Sequence, residues 1–210
     1  MRLTVFGATG GIGREIVQQA LTAGHEVTAV VRDPARFTVD GPGLEVFRSD
    51  LADPESLRAA VAGRDAVLSG LGARSRADAG VAARLTRSVL AAMHAEGVRR
   101  LLVVSAAPLG PVPADQSVLD RAVLALVNAV LKDVYADLRV MEDELAASAT
   151  DWTSVRPPRL TDKPVSGRYR SVVGGTPGRG RFLARADVAH AMLAMIGDPA
   201  TVRQGVGIAH

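Results

Sequence analysis

Residues 5–17 read Val5-Phe6-Gly7-Ala8-Thr9-Gly10-Gly11-Ile12-Gly13-Arg14-Glu15-Ile16-Val17, four glycines within seven positions between an apolar run and an amphipathic one. In the order strand, turn, helix, each glycine has a mechanical task. Gly7 permits a tight turn out of the strand, Gly10 lets a diphosphate approach the main chain, and Gly13 lets the helix pack closely on the strand. The first helical turn leaves N–H groups unpaired and carries partial positive charge, so an anionic diphosphate suits it. A second strand candidate ends about 20 residues further on, as a dinucleotide fold requires. A P-loop is excluded because no Gly-Lys-Ser/Thr closes the turn.

Outward from this turn, short β-branched runs alternate with longer segments of helical period. Strands are expected over Leu3 to Phe6, Glu26 to Val31, Leu44 to Arg48, Ala66 to Ser69, Leu101 to Ser105, Trp152 to Arg156 and Val206 to Ala209. Helices are expected over Gly11 to Ala23, Pro54 to Ala62, Ala77 to Glu96, Val118 to Ala147 with a break near Lys132, and Ala186 to Ile196. Gly24 reads as a C-terminal cap, and Asp53-Pro54 as N-cap and first-turn proline. The pattern predicts an α/β protein with a doubly wound parallel sheet, helices on both faces, and a single domain over residues 1–210. Residues 108–131 and 157–181 contain Pro- and Gly-rich stretches and are expected to carry substrate-side loops.

Composition removes several classes of function. The chain of 210 residues has no cysteine, which excludes disulfides, thiolate metal sites and cysteine nucleophiles. None of the four histidines forms a pair with metal-ligand spacing, so no metal is expected. The 25 basic residues are spread among 22 acidic ones for a net charge of +3, with no basic cluster or interleaved aromatics, so no nucleic acid is expected as partner. No apolar run is long enough to span a bilayer and no signal peptide is legible, so the expected location is the cytoplasm.

The end of the second strand discriminates between cofactors. An acidic side chain there would bind the ribose hydroxyls of NAD, whereas a guanidinium matches a 2′-phosphate in a bidentate fork. The sequence runs Val30-Val31-Arg32-Asp33-Pro34-Ala35-Arg36. Arg32 at the terminal position, with Arg36 one turn beyond, favours NADP, while Asp33 keeps NAD open and Arg36 alone also reads as a solvated surface residue.

The glycine turn, Arg32, Ser49-Asp50-Leu51, Ser69-Gly70-Leu71-Gly72, Val103-Val104-Ser105, Trp152-Thr153-Ser154-Val155-Arg156-Pro157-Pro158 and Arg185-Ala186-Asp187-Val188-Ala189 together resemble the atypical short-chain dehydrogenase/reductases. Within that group the chain is most similar to the small NAD(P)H-binding branch that contains flavin reductase of the biliverdin reductase B type, with NmrA-like proteins more distant. The resemblance implies a Rossmann sheet of order 3-2-1-4-5-6 and cofactor contacts at Gly7, Thr9, Gly10, Gly11, Ile12, Arg32, Asp50, Leu51, Leu71 and Gly72, with Ser105 and Pro157 on the nicotinamide side.

The catalytic half departs from the superfamily. Typical members use a Ser together with a Tyr and a Lys four residues on, to pass a proton while hydride moves. At the end of the fifth strand the serine position falls on Ala106, and counting back from Glu142 the Tyr and Lys positions fall on Val134 and Leu138. Tyr135 and Arg139 keep the spacing but sit one residue, about 100°, around the helix. Ser105 and Tyr135 are therefore the candidate catalytic residues, and Arg74, Pro158 and Arg159 the candidate substrate contacts. The apolar run from Val118 to Leu131 reads as core, as a dimer face, or as a lid over a flat acceptor. The sequence points to an NADPH-dependent reductase of a flat conjugated acceptor (flavin, quinone or tetrapyrrole-like), acting as monomer or homodimer. The alternatives are a non-catalytic NADP(H)-sensing protein of NmrA-like type, and a ketoreductase or isomerase of a biosynthetic pathway.

Overall fold

The computed structural model describes residues 1–72, 80–111, 131–178 and 180–210. Its elements run β1 (Arg2–Phe6), α1 (Gly11–Thr22), β2 (Glu26–Val31), β3 (Leu44–Arg48), α2 (Pro54–Val61), β4 (Ala66–Ser69), α3 (Val81–Glu96), β5 (Arg100–Val104), α4 (Lys132–Ala147), β6 (Asp151–Arg156), β7 (Arg159–Thr161), β8 (Arg170–Val173), β9 (Phe182–Ala184), α5 (Arg185–Ala194) and β10 (Gln204–Ala209). The central sheet has the order β3-β2-β1-β4-β5-β6-β10-β8, and a separate pair joins β7 to β9. Every neighbour in the central sheet is parallel except β10 and β8. The order reverses between β1 and β4, so the ends of these strands open a crevice there.

Period-two alternation divides the strand side chains between two cores. Leu3 and Val5 of β1, with Val27, Ala29 and Val31 of β2, face α1 and α5, packing on Ile16, Val17, Val188 and Met192. Phe6 and Val30 face the other way, toward Leu57 of α2, Val89 and Met93 of α3, and Met141 and Leu145 of α4. Both faces of the sheet are thus covered, as an all-parallel core demands. A buried Asp137 on α4 fastens one helix to another: its carboxylate accepts from the amides of Ala82 (2.9 Å) and Ala83 (3.0 Å) at the start of α3. Gly80, which precedes α3, has no side chain to do so.

Where the described residues cover them, the predicted elements between β1 and β6 are present, and the caps at Gly24 (φ 78°) and Asp53 form as read; the first parts of the helices expected over 77–96 and 118–147 lie outside the described residues. Two expectations change. The 157–181 stretch is not loop throughout, since β7 and β8 lie within it. β8 is an edge strand exposed at all four residues, so Val172 and Val173 show no alternation to read, and three-residue β7 is too short to carry a period. The last helix also ends at Ala194, before the expected Ile196. Residues 112–130, including most of the apolar run, lie outside the described residues.

Candidate cofactor and acceptor site

The glycine turn is built by contact between three stretches of backbone. Gly7 sits at φ 72°, in the left-handed region, and a Cβ there would lie 2.8 Å from the Gly70 carbonyl carbon. A Cβ on Gly13 would lie 2.2 Å from Gly7 O, and one on Gly70 would lie 3.0 Å from Gly13 N. The end of β4 and the start of α1 therefore close on the turn with no room for side chains. Gly10 donates to Gly7 O (2.8 Å) and accepts from Arg14 N (2.9 Å). No side chain caps α1, and no acidic residue stands in its first turn. The positive end of a twelve-residue helix is left to meet an anion. Ile12 buries its side chain in the first core, which leaves its amide as the group available to a ligand.

Two clefts share Arg32, and the smaller of them reaches the turn at Thr9. The larger, about 390 Å³, is bounded by Arg32, Arg48, Ser49, Asp50, Asp53 and Ser56. The smaller, about 90 Å³, is bounded by Thr9, Arg32, Asp33 and Arg36. The pairing of Val31 with Arg48 places the ends of β2 and β3 side by side, so a third guanidinium joins the two that the sequence singles out. None of Arg32, Arg36 and Arg48 is held in an ion pair among the described residues. The Asp33 carboxylate instead turns to its own backbone, accepting from Ala35 N at 3.1 Å to cap a short 3₁₀ turn over Pro34–Arg36. Asp50 likewise accepts from Ala52 N (3.0 Å). Leu51 is buried at φ 70°, a conformation a branched side chain adopts only under constraint. The constraint is the Ser49 hydroxyl, which accepts from Leu51 N at 3.2 Å and lies 3.2 Å from the Ser56 hydroxyl.

Leu71 packs against the second core and donates its amide to the Ser69 hydroxyl (3.3 Å). A Cβ on Gly72 would meet no atom within 4 Å among the described residues. Arg74 lies outside those residues.

On the acceptor side, β5 and β6 end together. Ser105 N donates to Val155 O (2.8 Å) and Ala107 N to Pro157 O (2.9 Å). Beneath them lies a group the sequence reading used only to set a register: Glu142 of α4 accepts from Ser154 Oγ (2.6 Å), Arg156 Nε (2.9 Å) and Arg156 Nη2 (2.6 Å). Burial alone would raise the Glu142 pKa, but the hydrogen bonds from Arg156 and Ser154, with the Arg156 charge, outweigh it and hold the carboxyl below its ordinary range. The Ser105 hydroxyl, in a residue 6% exposed, makes no hydrogen bond among the described residues. The Arg156 guanidinium is seated on bare backbone, because a Cβ on Gly205 would fall 2.4 Å from Arg156 Cζ.

Val134 packs against the second core and Leu138 is buried in it. Tyr135 is partly buried beside them, and burial raises its pKa, the opposite of what an easily ionised phenol requires. Arg139 is exposed. Arg159, at the start of β7, is exposed and places its guanidinium 5.7 Å from the centre of the Phe182 ring. Pro158 lies between it and buried Pro157.

A parallel sheet of this order, with an uncapped glycine turn at the switch point and guanidinium groups at the end of the second strand, defines a Rossmann dinucleotide-binding protein. The sequence pattern of the NAD(P)H-binding family matches residues 7–199, and the chain belongs to that family. It is 28% identical over 183 residues to the (4-alkanoyl-5-oxo-2,5-dihydrofuran-3-yl)methyl phosphate reductase of Streptomyces griseus, covering 83% of this chain and 56% of that enzyme. The chain thus spans little more than half the length of that curated relative. Among solved structures, a protein assigned as an NADH-flavin reductase from Streptococcus pneumoniae superposes with a TM-score of 0.81 at 22% identity, covering 100% of this chain and 99% of that one. A short-chain dehydrogenase/reductase from Veillonella parvula, in complex with NADP, superposes with a TM-score of 0.79 at 21% identity, covering 100% and 94%. At such identity these two likenesses show the fold alone. No helix among the described residues is long and apolar enough to cross a membrane.

Proposed function

We propose that this chain is an NADPH-dependent oxidoreductase that reduces a flat conjugated acceptor of flavin, quinone or tetrapyrrole type without a Tyr-Lys pair, working in the cytoplasm where NADPH is regenerated, as monomer or homodimer. The observation that carries the reading is the set of guanidinium groups, Arg32, Arg36 and Arg48, in no ion pair among the described residues, around two clefts that share Arg32, one of which reaches the turn before an uncapped helix terminus at Thr9. Asp33, the residue that keeps NAD open, spends its carboxylate on its own turn. The chemistry such a cofactor supplies when bound is hydride donation.

This chain's residues would hold it in three places. The amides of Gly11, Ile12 and Gly13 receive the diphosphate, Arg32 with Arg36 and Arg48 takes the 2′-phosphate, and the Ser105 hydroxyl is a buried polar group suited to a carboxamide or acceptor oxygen. Apolar Val134 and Leu138 at the usual Tyr and Lys positions support acceptors that take their proton from water, as flavins and quinones do. The reductase name of the Streptomyces relative supports the reaction class.

Mixing the protein with NADPH and a panel of flavins, quinones and imines is expected to give acceptor-dependent loss of nicotinamide absorbance. Tight NADPH binding with no turnover of any of them would overturn the reductase reading in favour of an NADP(H) sensor. Arg32→Ala is expected to weaken NADPH binding roughly 30-fold, the worth of about 2 kcal/mol for a charge-assisted contact, and to leave NADH binding within about twofold. Arg32 is exposed, so the melting temperature should not move. Calorimetric titration with both cofactors checks it, and an equal loss for the two would remove Arg32 from the 2′-phosphate.

A further inference from the structure

Gly11 differs from the other glycines of the turn. What a Cβ there would strike is a side chain from another helix: Arg185 Cδ at 2.5 Å and Nε at 2.9 Å. Arg185 is the first residue of α5, and its stem lies across the first turn of α1, in the space a side chain at position 11 would fill. Its root is fixed. Ala186 is buried and its carbonyl accepts from Gln19 Nε2 of α1 at 2.9 Å. Asp187 is fully buried and accepts from the amides of Ser166 (2.7 Å) and Gly167 (2.9 Å) and from the Ser166 hydroxyl (2.9 Å).

The guanidinium itself is differently placed. Arg185 Nη1 donates to Asp162 Oδ1 at 2.5 Å, and the Asp162 side chain is 88% exposed. A pair with one partner so open to water holds little together. Arg185 also stands beside the positive end of α1, whose first turn contains no acidic residue, so the helix dipole disfavours it there. Two positive features converge on one spot, and among the described residues an exposed carboxylate alone offsets them. An anion of two or more charges on the α1 terminus would resolve this.

We infer that Arg185 is a cofactor-binding residue that reaches over the diphosphate from α5, and that Asp162 competes with that diphosphate for its guanidinium. The inference rests on the dinucleotide site of the family. It assigns the charged contact to a residue about 170 positions from the glycine turn, and it couples the diphosphate to the segment that follows β7, since Asp162 directly succeeds Thr161.

The test uses three probes: NADPH, ADP-ribose, which carries the diphosphate without a 2′-phosphate, and adenosine 2′-monophosphate, which carries the reverse. Arg185→Met keeps the stem over Gly11 and removes the charge. It is expected to weaken NADPH and ADP-ribose about tenfold, as loss of one charge-assisted contact does, and to leave adenosine 2′-monophosphate unchanged. Arg32→Ala should show the opposite pattern on the two fragments. Asp162→Asn is expected to tighten NADPH and ADP-ribose a few-fold, and the gain should vanish in the Arg185→Met background. Arg185→Lys should recover most of the affinity, which separates charge from fold. Unchanged ADP-ribose binding in Arg185→Met, or weaker binding in Asp162→Asn, would overturn the assignment while leaving the family site standing. A wild-type chain that binds neither NADPH nor ADP-ribose would overturn both.

Discussion

Alanine at Gly13 is expected to abolish measurable NADPH binding and to lower the melting temperature by roughly 6–12 °C. A Cβ at that position would sit 2.2 Å from Gly7 O and 2.6 Å from Gly7 C, and neither atom belongs to a side chain that could swing away. Gly7 cannot retreat, because its own missing Cβ is what admits the Gly70 carbonyl and the Leu71 amide at 2.8–2.9 Å. The whole turn must then move off the strand. Overpacking of a rigid site costs about 1–3 kcal/mol, with backbone against backbone at the upper end, and about 3 kcal/mol shifts the melting temperature of a chain this size by roughly that range. Binding suffers more than folding, since the amides of the α1 terminus lose their aim together and each charge-assisted contact is worth about 1.5–3 kcal/mol. Gly72→Ala is the control. Its Cβ would meet no atom within 4 Å among the described residues, so its melting temperature should match the wild type. Differential scanning fluorimetry and NADPH titration of both variants check the pair, and a Gly13→Ala chain that binds normally would show that the helix can slide on the strand.

The glycine turn was legible because its geometry is local: seven consecutive residues state the strand exit, the phosphate approach and the helix packing. The end of β2 was legible for the same reason, Arg32 and Arg36 being read at fixed distances from the turn. Arg48 was not. In sequence it is the last residue of the expected third strand, and only the pairing of β3 beside β2 brings it to the Arg32 cleft. Glu142 and Arg156 illustrate the same limit more sharply. They lie on α4 and β6, and nothing in either segment announces that they share two hydrogen bonds beneath Ser105. Arg185 stood in a recognisable helix start, yet its relation to Gly11 depends on α5 packing against α1. The strands β7 and β8 were hidden for a different reason: short or wholly exposed segments carry no alternation, so Pro and Gly content dominates the reading.

Glu142→Gln is expected to cost about 3 kcal/mol at neutral pH, roughly 6–12 °C in melting temperature, through the partner it abandons. Glu142 and Arg156 each keep only 15% of their side-chain surface exposed, and the guanidinium lies against Gly205, where a side chain would strike it. Breaking such a pair strands a cation in a poorly solvated place, which costs more than the pair itself contributes. An amide keeps one acceptor for Ser154 or Arg156 but supplies no charge, so the loss should fall at the low end of the range for broken buried pairs. The pH dependence has a definite sign. Because the folded pKa of Glu142 is depressed, its stabilisation is fully present above the unfolded value of about 4.3 and is lost as pH falls through the lower folded value. The wild type should therefore lose stability on acidification below about pH 4.3 more steeply than Glu142→Gln, and the two curves should converge at low pH. Parallel curves would mean that the carboxyl titrates alike folded and unfolded. Ser105→Ala should weaken whatever polar group of cofactor or acceptor its hydroxyl holds and leave the melting temperature nearly unchanged, since that hydroxyl has no hydrogen bond to lose among the described residues.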